Sequence, residues 1–230
     1  MARECDGTDD TVFGMKRGNI LAHRGLWIDP ADKNSRDALV AALDLGFGVE
    51  TDFRDSGGML WVSHDPVAGD GTLSAARFFE DCAGANQSGR LALNIKADGL
   101  QRMISDAIDA AGVPVERVFA FDMSVPDTLG YIHRGFPVYS RASEYETDRS
   151  FGDIAQGVWV DNFTGGFPQV HKAMALLEFG QRVAMVSPEL HGRPHEALWQ
   201  EILQSGLHLY PGFELCTDFP EEASRILGAD

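Results

Sequence analysis

The sequence predicts an α/β protein built as a single (β/α)8 barrel, and three observations support this fold class. The chain has 230 residues, and barrels of this class occupy about 200–250 residues as one domain. Short runs rich in β-branched and aromatic residues alternate with amphipathic helical patterns, which indicates parallel strands joined by helices. Polar and charged residues close several of these runs, as expected at the carboxyl ends of barrel strands.

Eight predicted barrel strands and seven helical patterns account for most of the chain. The predicted strands are residues 19–23, 46–53, 91–96, 118–122, 137–141, 158–161, 183–189 and 213–217. The helical patterns are residues 35–45, 74–82, 100–111, 126–133, 170–179, 195–204 and 220–227. A further apolar run at 59–64 follows the turn sequence Asp55-Ser56-Gly57-Gly58, which is typical of a hairpin. We therefore expect a small β-hairpin inserted after the second strand.

The first residues differ in character from the rest. Residues 1–14 are acidic and polar and lack the apolar segment of a secretory signal. No low-complexity linker divides the remaining sequence. We expect a poorly ordered leader over residues 1–16 and one domain over residues 17–230.

Composition restricts the partners and the compartment. A net charge of −16 disfavours nucleic acid and anionic membranes as partners, and no stretch approaches the roughly 18 apolar residues of a membrane span. Cys5, Cys82 and Cys216 form no CxxC pair, so we expect free thiols in a reducing compartment, the cytoplasm. The oligomeric state is not encoded in any of these features.

Two acids share one face of the second predicted strand. Side chains alternate along a strand, so Glu50 and Asp52 point the same way. Side by side they repel each other unless a cation or a proton lies between them, and a hard divalent ion with oxygen ligands satisfies both. The alternative is an exposed edge strand whose acids are solvated.

Two histidines close neighbouring segments. His23 ends the first strand, and His64 ends the hairpin arm beside Glu50 and Asp52. Because histidine titrates near neutral pH, one imidazole can accept a proton while the other donates one. The planar fork of Arg24 suits a phosphate oxygen. The alternative for each histidine is a hydrogen-bonded core residue.

These motifs and their order resemble the glycerophosphodiester phosphodiesterase family. The family's usual pattern is HRG, a Pro-Glu-Asn-Thr helix start, ExD about two dozen residues later, HD, a Ser-Phe-Asp segment and a closing Thr-Asp-x-Pro. The matching segments here are Ala22-His23-Arg24-Gly25, Asn34, Glu50-Thr51-Asp52, His64-Asp65-Pro66, Phe121-Asp122 and Thr217-Asp218-Phe219-Pro220.

The resemblance implies a TIM-barrel phosphodiesterase acting on a small phosphodiester of lipid metabolism. It makes His23 and His64 the acid–base pair, and gives Glu50 and Asp52 the task of holding Mg²⁺ or Ca²⁺. In the implied mechanism a neighbouring hydroxyl of the substrate attacks phosphorus, and water opens the resulting cyclic phosphate. Arg24 then belongs to the substrate-binding residues.

The third barrel strand departs from the family, which usually has Glu-x-Lys where this chain has Asn94-Ile95-Lys96. We expect Asn94 to be the third metal ligand with lower affinity than a carboxylate, and Lys96 to bind substrate. Asp98, Asp122 and Glu189 are alternative sources of the missing acid.

The seventh predicted strand ends at Glu189, and His191 and Arg193 follow it at the same, catalytic end of the barrel. We expect these side chains, Glu189 in particular, to recognise the head group of the substrate; the alternative is a polar loop. Asp218 precedes Pro220 and is expected to cap the last helix.

Two rival functions remain open. One is a lyase-like enzyme that releases a cyclic phosphate and stops. The other is a binding protein that keeps the phosphate site but has lost turnover. Both histidines argue against pure binding, whereas Asn94 argues for it.

Overall fold

Parallel strands form a nearly closed barrel inside a ring of helices, which confirms the predicted fold class. The structure is a computed structural model, and it describes residues 14–67, 71–85, 89–146 and 151–229. Most of the predicted leader, residues 1–13, lies outside this part of the chain. Met15 is buried in the hydrophobic core.

The strands are short, as in most barrels of this size. They are β1 Ile20–His23, β2 Gly48–Ser56, β3 Met59–Val62, β4 Leu91–Ile95, β5 Val118–Phe121, β6 Tyr139–Ala142, β7 Gly157–Val160, β8 Arg182–Val186 and β9 Phe213–Thr217. The seventh predicted strand, residues 183–189, was too long at its end: the corresponding strand, β8, stops before Pro188, which has no N–H to donate to a neighbouring strand.

The α-helices among the described residues are α1 Arg36–Asp44, α2 Ala75–Gly84, α3 Gln101–Ala111, α4 Val125–Ile132, α5 Gln169–Glu178, α6 Glu196–Ser205 and α7 Pro220–Ile226. Three of them begin after a serine whose hydroxyl accepts a hydrogen bond from the N–H three residues later: Ser35, Ser74 and Ser124. None of the helices in this part of the chain is long and apolar enough to cross a membrane.

The barrel closes between β5 and β6. All neighbouring barrel strands pair in parallel in the order β5-β4-β2-β1-β9-β8-β7-β6, and one parallel bridge between Ala120 and Val138 joins the two ends. Beyond the barrel, β2 continues and pairs antiparallel with β3. Gly57 and Gly58 form the turn with φ of 60° and 77°, the left-handed backbone that a two-residue hairpin requires.

The connection from β6 to β7 differs from the others. Among its described residues, 143–146 and 151–156, there is no α-helix, only a 3-10 turn at Gly152–Ile154. Its sequence has no run of apolar residues at helical spacing, so a helix there lacks a face to bury.

Two hydrophobic clusters hold the layers together. The larger one packs outward-facing strand residues against the helices. The smaller one fills the barrel, where the rings of Phe119 and Tyr139 stack at 3.7 Å and those of Phe121 and Trp159 stack at 3.9 Å. These stacked rings form a floor beneath the carboxyl ends of the strands.

A buried charge cluster closes the amino-terminal end of the barrel. Glu214 is fully buried and lies 2.9 Å from Arg90 Nε and 2.5 Å from an Arg182 guanidinium nitrogen. The hydroxyl of Tyr139 donates to the same carboxylate at 3.2 Å. Burial, and then the negative charge of Glu214, raises the pKa of Tyr139, so this hydroxyl keeps its proton and remains a donor.

Replacing Glu214 tests the contribution of this buried charge cluster to stability. Glu214→Ala leaves Arg90 and Arg182 without their shared counter-ion, and we expect the free energy of unfolding to fall by about 3–5 kcal/mol. Urea unfolding followed by circular dichroism measures it. Glu201→Ala, at an exposed position on α6, is the control; equal unfolding midpoints for the two variants contradict the role of the cluster.

Candidate active site

A cleft of about 400 Å³ opens at the carboxyl ends of the barrel strands. Strands or loops from both halves of the barrel contribute to its walls. The polar residues that line it are His23, Arg24, Lys33, Glu50, His64, Asn94, Lys96, Asp122, Arg141, Asp161 and His191. Six of the eight predicted site residues therefore share one cleft; the other two, Asp52 and Glu189, are not among the described residues of its wall.

His23 is held by a carboxylate from the other end of the chain. Its Nδ1 lies 2.6 Å from Asp218 Oδ1, and since a carboxylate only accepts, the ring nitrogen is the donor. The second oxygen of Asp218 accepts from Lys33 Nζ at 3.3 Å. The other ring nitrogen, Nε2, is 3.8 Å from Glu50 Oε2. Asp218 thus fixes the orientation of the imidazole and leaves Nε2 directed toward the acids.

The expected helix cap by Asp218 is wrong. Helix α7 begins after Phe219 without a side-chain cap, because the Asp218 carboxylate turns toward the barrel mouth. Burial raises the pKa of Asp218, but the hydrogen bond and charge of His23, and then Lys33, outweigh it and hold this pKa below the ordinary value.

Glu50 is buried on β2, with one oxygen facing an amide. Asn94 on β4 donates Nδ2–H to Glu50 Oε1 at 3.1 Å, as expected for strand neighbours whose side chains point inward. Burial, and then repulsion from Asp52, raises the pKa of Glu50; His23 and Arg24 offset only part of this. A positive charge placed beside this carboxyl favours its ionised form.

Asp52 is fully buried and is surrounded by donors. Its Oδ2 lies 2.9 Å from Arg24 Nε and accepts from Asn34 Nδ2 at 2.8 Å, while Oδ1 lies 3.4 Å from Lys96 Nζ. Thr51 in turn donates to the Asn34 side chain at 2.6 Å. The charge of Asp52 is therefore balanced by two side-chain cations.

The described residues contain no cluster of three or more acidic, histidine or cysteine side chains arranged to hold a metal ion. They do contain two buried oxygens without a hydrogen-bond partner, Glu50 Oε2 and Asn94 Oδ1, on the cleft wall. Mg²⁺ is commonly held by one or two protein oxygens together with substrate phosphate oxygens. The oxygens of Glu50 and Asn94 are therefore suitable ligands for such an ion. Among the alternative acids, Asp98 accepts from Ser124, and Asp122 is paired with Lys96 and Arg141.

His64 lies on the rim of the cleft. Its side chain is 46% exposed, and Nδ1 lies 3.1 Å from Asp65 Oδ1. Arg54 Nε donates to the His64 carbonyl at 2.8 Å, which ties the end of the hairpin arm to β2. A second cavity of about 940 Å³ adjoins the cleft, and His64, Arg24 and Lys33 line both. His64 is accessible from either side.

The loop after β8 sends only one of its three candidate side chains into the cleft. His191 lines the wall, and its Nε2 lies 2.7 Å from Asp161 Oδ1. Arg193 donates to the Asn162 carbonyl. Glu189 accepts from three groups inside the protein and is absent from the described cleft wall.

Three polar residues of the cleft wall, Lys33, Arg141 and Asp161, were missed by the sequence analysis. Asp161 directly follows β7, and His23 is the last residue of β1, so both stand at the carboxyl end of a barrel strand. That position was the available signal. Lys33 precedes Asn34 in a loop and carries no such signal.

The Asp218 pKa leads to a pH-dependent prediction. A lowered native pKa stabilises the fold above the unfolded-state pKa, about 3.8, and this stabilisation is lost as pH falls through the native value. Lys33→Met removes one cause, so the pKa of Asp218 should rise. Near neutral pH the free energy of unfolding of Lys33→Met should be lower than that of the wild type. This difference should shrink below about pH 4.

Carboxyl ¹³C NMR gives the Asp218 pKa, and urea unfolding across pH gives the stability. Lys16→Met, at an exposed position outside the cleft, is the control. An Asp218 pKa that is the same in the wild type and in Lys33→Met contradicts the assigned ion pair.

Comparison with known proteins finds likeness only among solved structures. No protein-family model and no curated protein matches the chain. A glycerophosphodiester phosphodiesterase from Parabacteroides distasonis is 17% identical with a TM-score of 0.71, over 94% of this chain and 98% of its own. A putative one from Galdieria sulphuraria is 16% identical with a TM-score of 0.70, over 93% and 99%.

A third such structure, from Agrobacterium tumefaciens, is 17% identical with a TM-score of 0.64, over 92% of this chain and 100% of its own. All three similarities extend over nearly the whole of both chains. The chain therefore has the fold of these glycerophosphodiester phosphodiesterases.

Proposed function

We propose that the chain hydrolyses a small phosphodiester of the glycerophosphodiester type, with His23 and His64 as the acid–base pair and a divalent cation, Mg²⁺ or Ca²⁺, in the same cleft. The observation that carries the proposal is the Asp218–His23 pair, whose free ring nitrogen points into a cleft that His64 and four cationic side chains also line. The activity in the names of the structural neighbours is consistent with it.

His23 is suited to act first as a base. With Nδ1–H donated to Asp218, the neutral ring has its lone pair on Nε2, and the carboxylate stabilises the imidazolium that forms when Nε2 accepts a proton. The exposed ring of His64 is suited to donate a proton to a leaving alcohol.

Local positive charge draws the phosphodiester into an otherwise acidic protein. Arg24 and Lys96 line the cleft and share Asp52 as their buried counter-ion. The fork of Arg24 and the ammonium of Lys96 bind non-bridging phosphate oxygens. Because Asp52 pairs with the Arg24 guanidinium and the Lys96 ammonium, these donors are oriented before substrate arrives.

Glu50 and Asn94 would hold the cation through the two unpaired oxygens on the cleft wall. When bound, the ion supplies charge neutralisation at the non-bridging oxygens as negative charge builds on them. The repulsion between Glu50 and Asp52 would be offset by a cation held there. Asn94 contributes no charge, so we expect weaker ion binding than at a site with three carboxylates.

The reaction proceeds in two steps. A substrate hydroxyl next to the phosphodiester attacks phosphorus, His23 takes its proton, and His64 gives a proton to the departing alcohol. This forms a cyclic phosphate. In the second step the deprotonated His64 takes a proton from water, the water oxygen attacks phosphorus, and His23 returns its proton to the ring oxygen. A monoester leaves, and both imidazoles recover their starting states.

The direct experiment is ³¹P NMR of the purified protein with a panel of glycerophosphodiesters, with Mg²⁺ or Ca²⁺ added and then chelated. Hydrolysis gives a monoester signal that stops growing after chelation. A cyclic phosphate that persists indicates the lyase. Phosphate binding without turnover under any metal indicates the inert binding protein and refutes the proposal.

Removing either imidazole should suppress turnover. We expect His23→Ala and His64→Ala each to lower the rate by about 10²–10⁴ with an unchanged fold, because each loses one proton transfer. The ³¹P assay gives the rates, and circular dichroism checks the fold. His171→Ala, at an exposed position on α5, is the matched control; a variant of His23 or His64 that keeps the wild-type rate refutes its role.

Restoring an acid on β4 should strengthen the metal site. Asn94→Glu adds a charged ligand beside Glu50 Oε2, and we expect a lower Kd for Mg²⁺ or Ca²⁺ by isothermal titration calorimetry. Asn94→Ala is the matched control and should weaken binding. Equal affinity in the wild type and in Asn94→Glu removes this position from the metal site.

A further inference from the structure

We infer that Glu189 is a positioning residue that holds Asp218, and through it His23, in the geometry for proton transfer. This inference rests on the proposed function and changes the expected role of Glu189 from head-group recognition to support of the catalytic pair. It follows from three hydrogen bonds, the anchoring of the loop that carries Glu189, and the backbone of the turn after β9.

Both oxygens of the Glu189 carboxylate are occupied inside the protein. Oε1 accepts from Thr217 Oγ1 at 2.5 Å and from the Asp218 N–H at 3.1 Å. Oε2 accepts from Ser187 Oγ at 2.5 Å. A carboxylate engaged by three donors has little capacity left for a ligand.

The Glu189 loop is anchored to the buried side of the barrel. Trp199 on α6, itself fully buried, donates Nε1–H to Ser187 Oγ at 2.9 Å. The Ser187 N–H donates to the Cys216 carbonyl at 2.9 Å, which continues the pairing of β8 with β9. Glu189 therefore extends from a fixed wall and not from a loose loop.

The turn after β9 needs a hydrogen-bond acceptor for its backbone. Asp218 has left the sheet, so its N–H no longer has a neighbouring strand to bond, and a buried N–H without an acceptor is unfavourable. Glu189 supplies the acceptor at the residue whose side chain binds His23. Thr217 Oγ1 also accepts from the Phe219 N–H at 3.0 Å. The whole turn is fixed by these bonds.

A shift of this turn moves the imidazole. The Asp218 side chain reaches His23 Nδ1 at 2.6 Å, so displacing its backbone lengthens or tilts that bond. A misplacement of about 1 Å at a reacting group can reduce the rate by about 10²-fold. Substrate binding depends on Arg24 and Lys96, which Glu189 does not contact among the described residues.

The test compares kcat and KM of the wild type, Glu189→Ala, Glu189→Gln, Asp218→Asn and the double variant Glu189→Ala/Asp218→Asn. We expect Glu189→Ala to lower kcat by about 10²-fold with KM near the wild-type value. Glu189→Gln should recover most of the loss, because its carbonyl accepts from Thr217 and Asp218 while its amide donates to Ser187. Glu201→Ala on α6 is the control.

The double variant decides whether Glu189 acts through Asp218. If it does, Glu189→Ala/Asp218→Asn is hardly slower than Asp218→Asn alone. The inference is overturned if the two substitutions lower kcat by factors that multiply in the double variant. It is also overturned if Glu189→Ala impairs only KM. Thr217→Val, which removes one donor and keeps the side-chain shape, gives a second route if Glu189→Ala does not fold. Its loss in kcat should likewise vanish in the Asp218→Asn background; multiplying effects there also overturn the inference.

A proton NMR measurement separates this inference from the proposed function. The hydrogen-bonded Nδ1–H of His23 should give a downfield resonance in the wild type that weakens or shifts in Glu189→Ala and persists in Glu189→Gln. An unchanged resonance in Glu189→Ala overturns the inference even without turnover data. A wild type that shows this resonance but turns over no phosphodiester overturns only the proposed function.

Discussion

The burial of two carboxylates on β2 is the constraint on which the site depends. Glu50 and Asp52 lie in the barrel mouth with almost no contact with solvent, where an uncompensated charge is strongly unfavourable. Asp52 is balanced by Arg24 and Lys96, and this holds both cations over the cleft. Within the part of the chain that the structure describes, the Glu50 carboxylate accepts only one hydrogen bond, from the side-chain amide of Asn94. That remaining imbalance is the physical basis for the cation that we propose in this cleft.

The opposite end of the barrel solves the same problem without forming a site. Glu214 is equally buried, but two arginines and a tyrosine hydroxyl surround its carboxylate. No oxygen of this carboxylate lacks a partner among the described residues. The contrast matches the usual division in this fold class, in which one end of the barrel stabilises the fold and the other carries the active site.

Local patterns predicted the fold and about half of the site. The alternation along β2 and β4 fixed the directions of Glu50 and Asn94, and strand ends located His23. Contacts between distant segments were out of reach: Asp218 lies 195 residues from His23, and the sequence around it is equally typical of a helix cap. Glu189 was assigned to the correct end of the barrel, but the direction of its side chain depends on a 3-10 turn that periodicity does not reveal.

A crystal structure with Mn²⁺ and glycerol 3-phosphate bound tests the central claim most directly. The account predicts an anomalous metal peak bonded to Glu50, with the phosphate between that ion and Arg24 and within reach of both His23 and His64. A phosphate bound away from this cleft, or either imidazole turned away from it, contradicts the account.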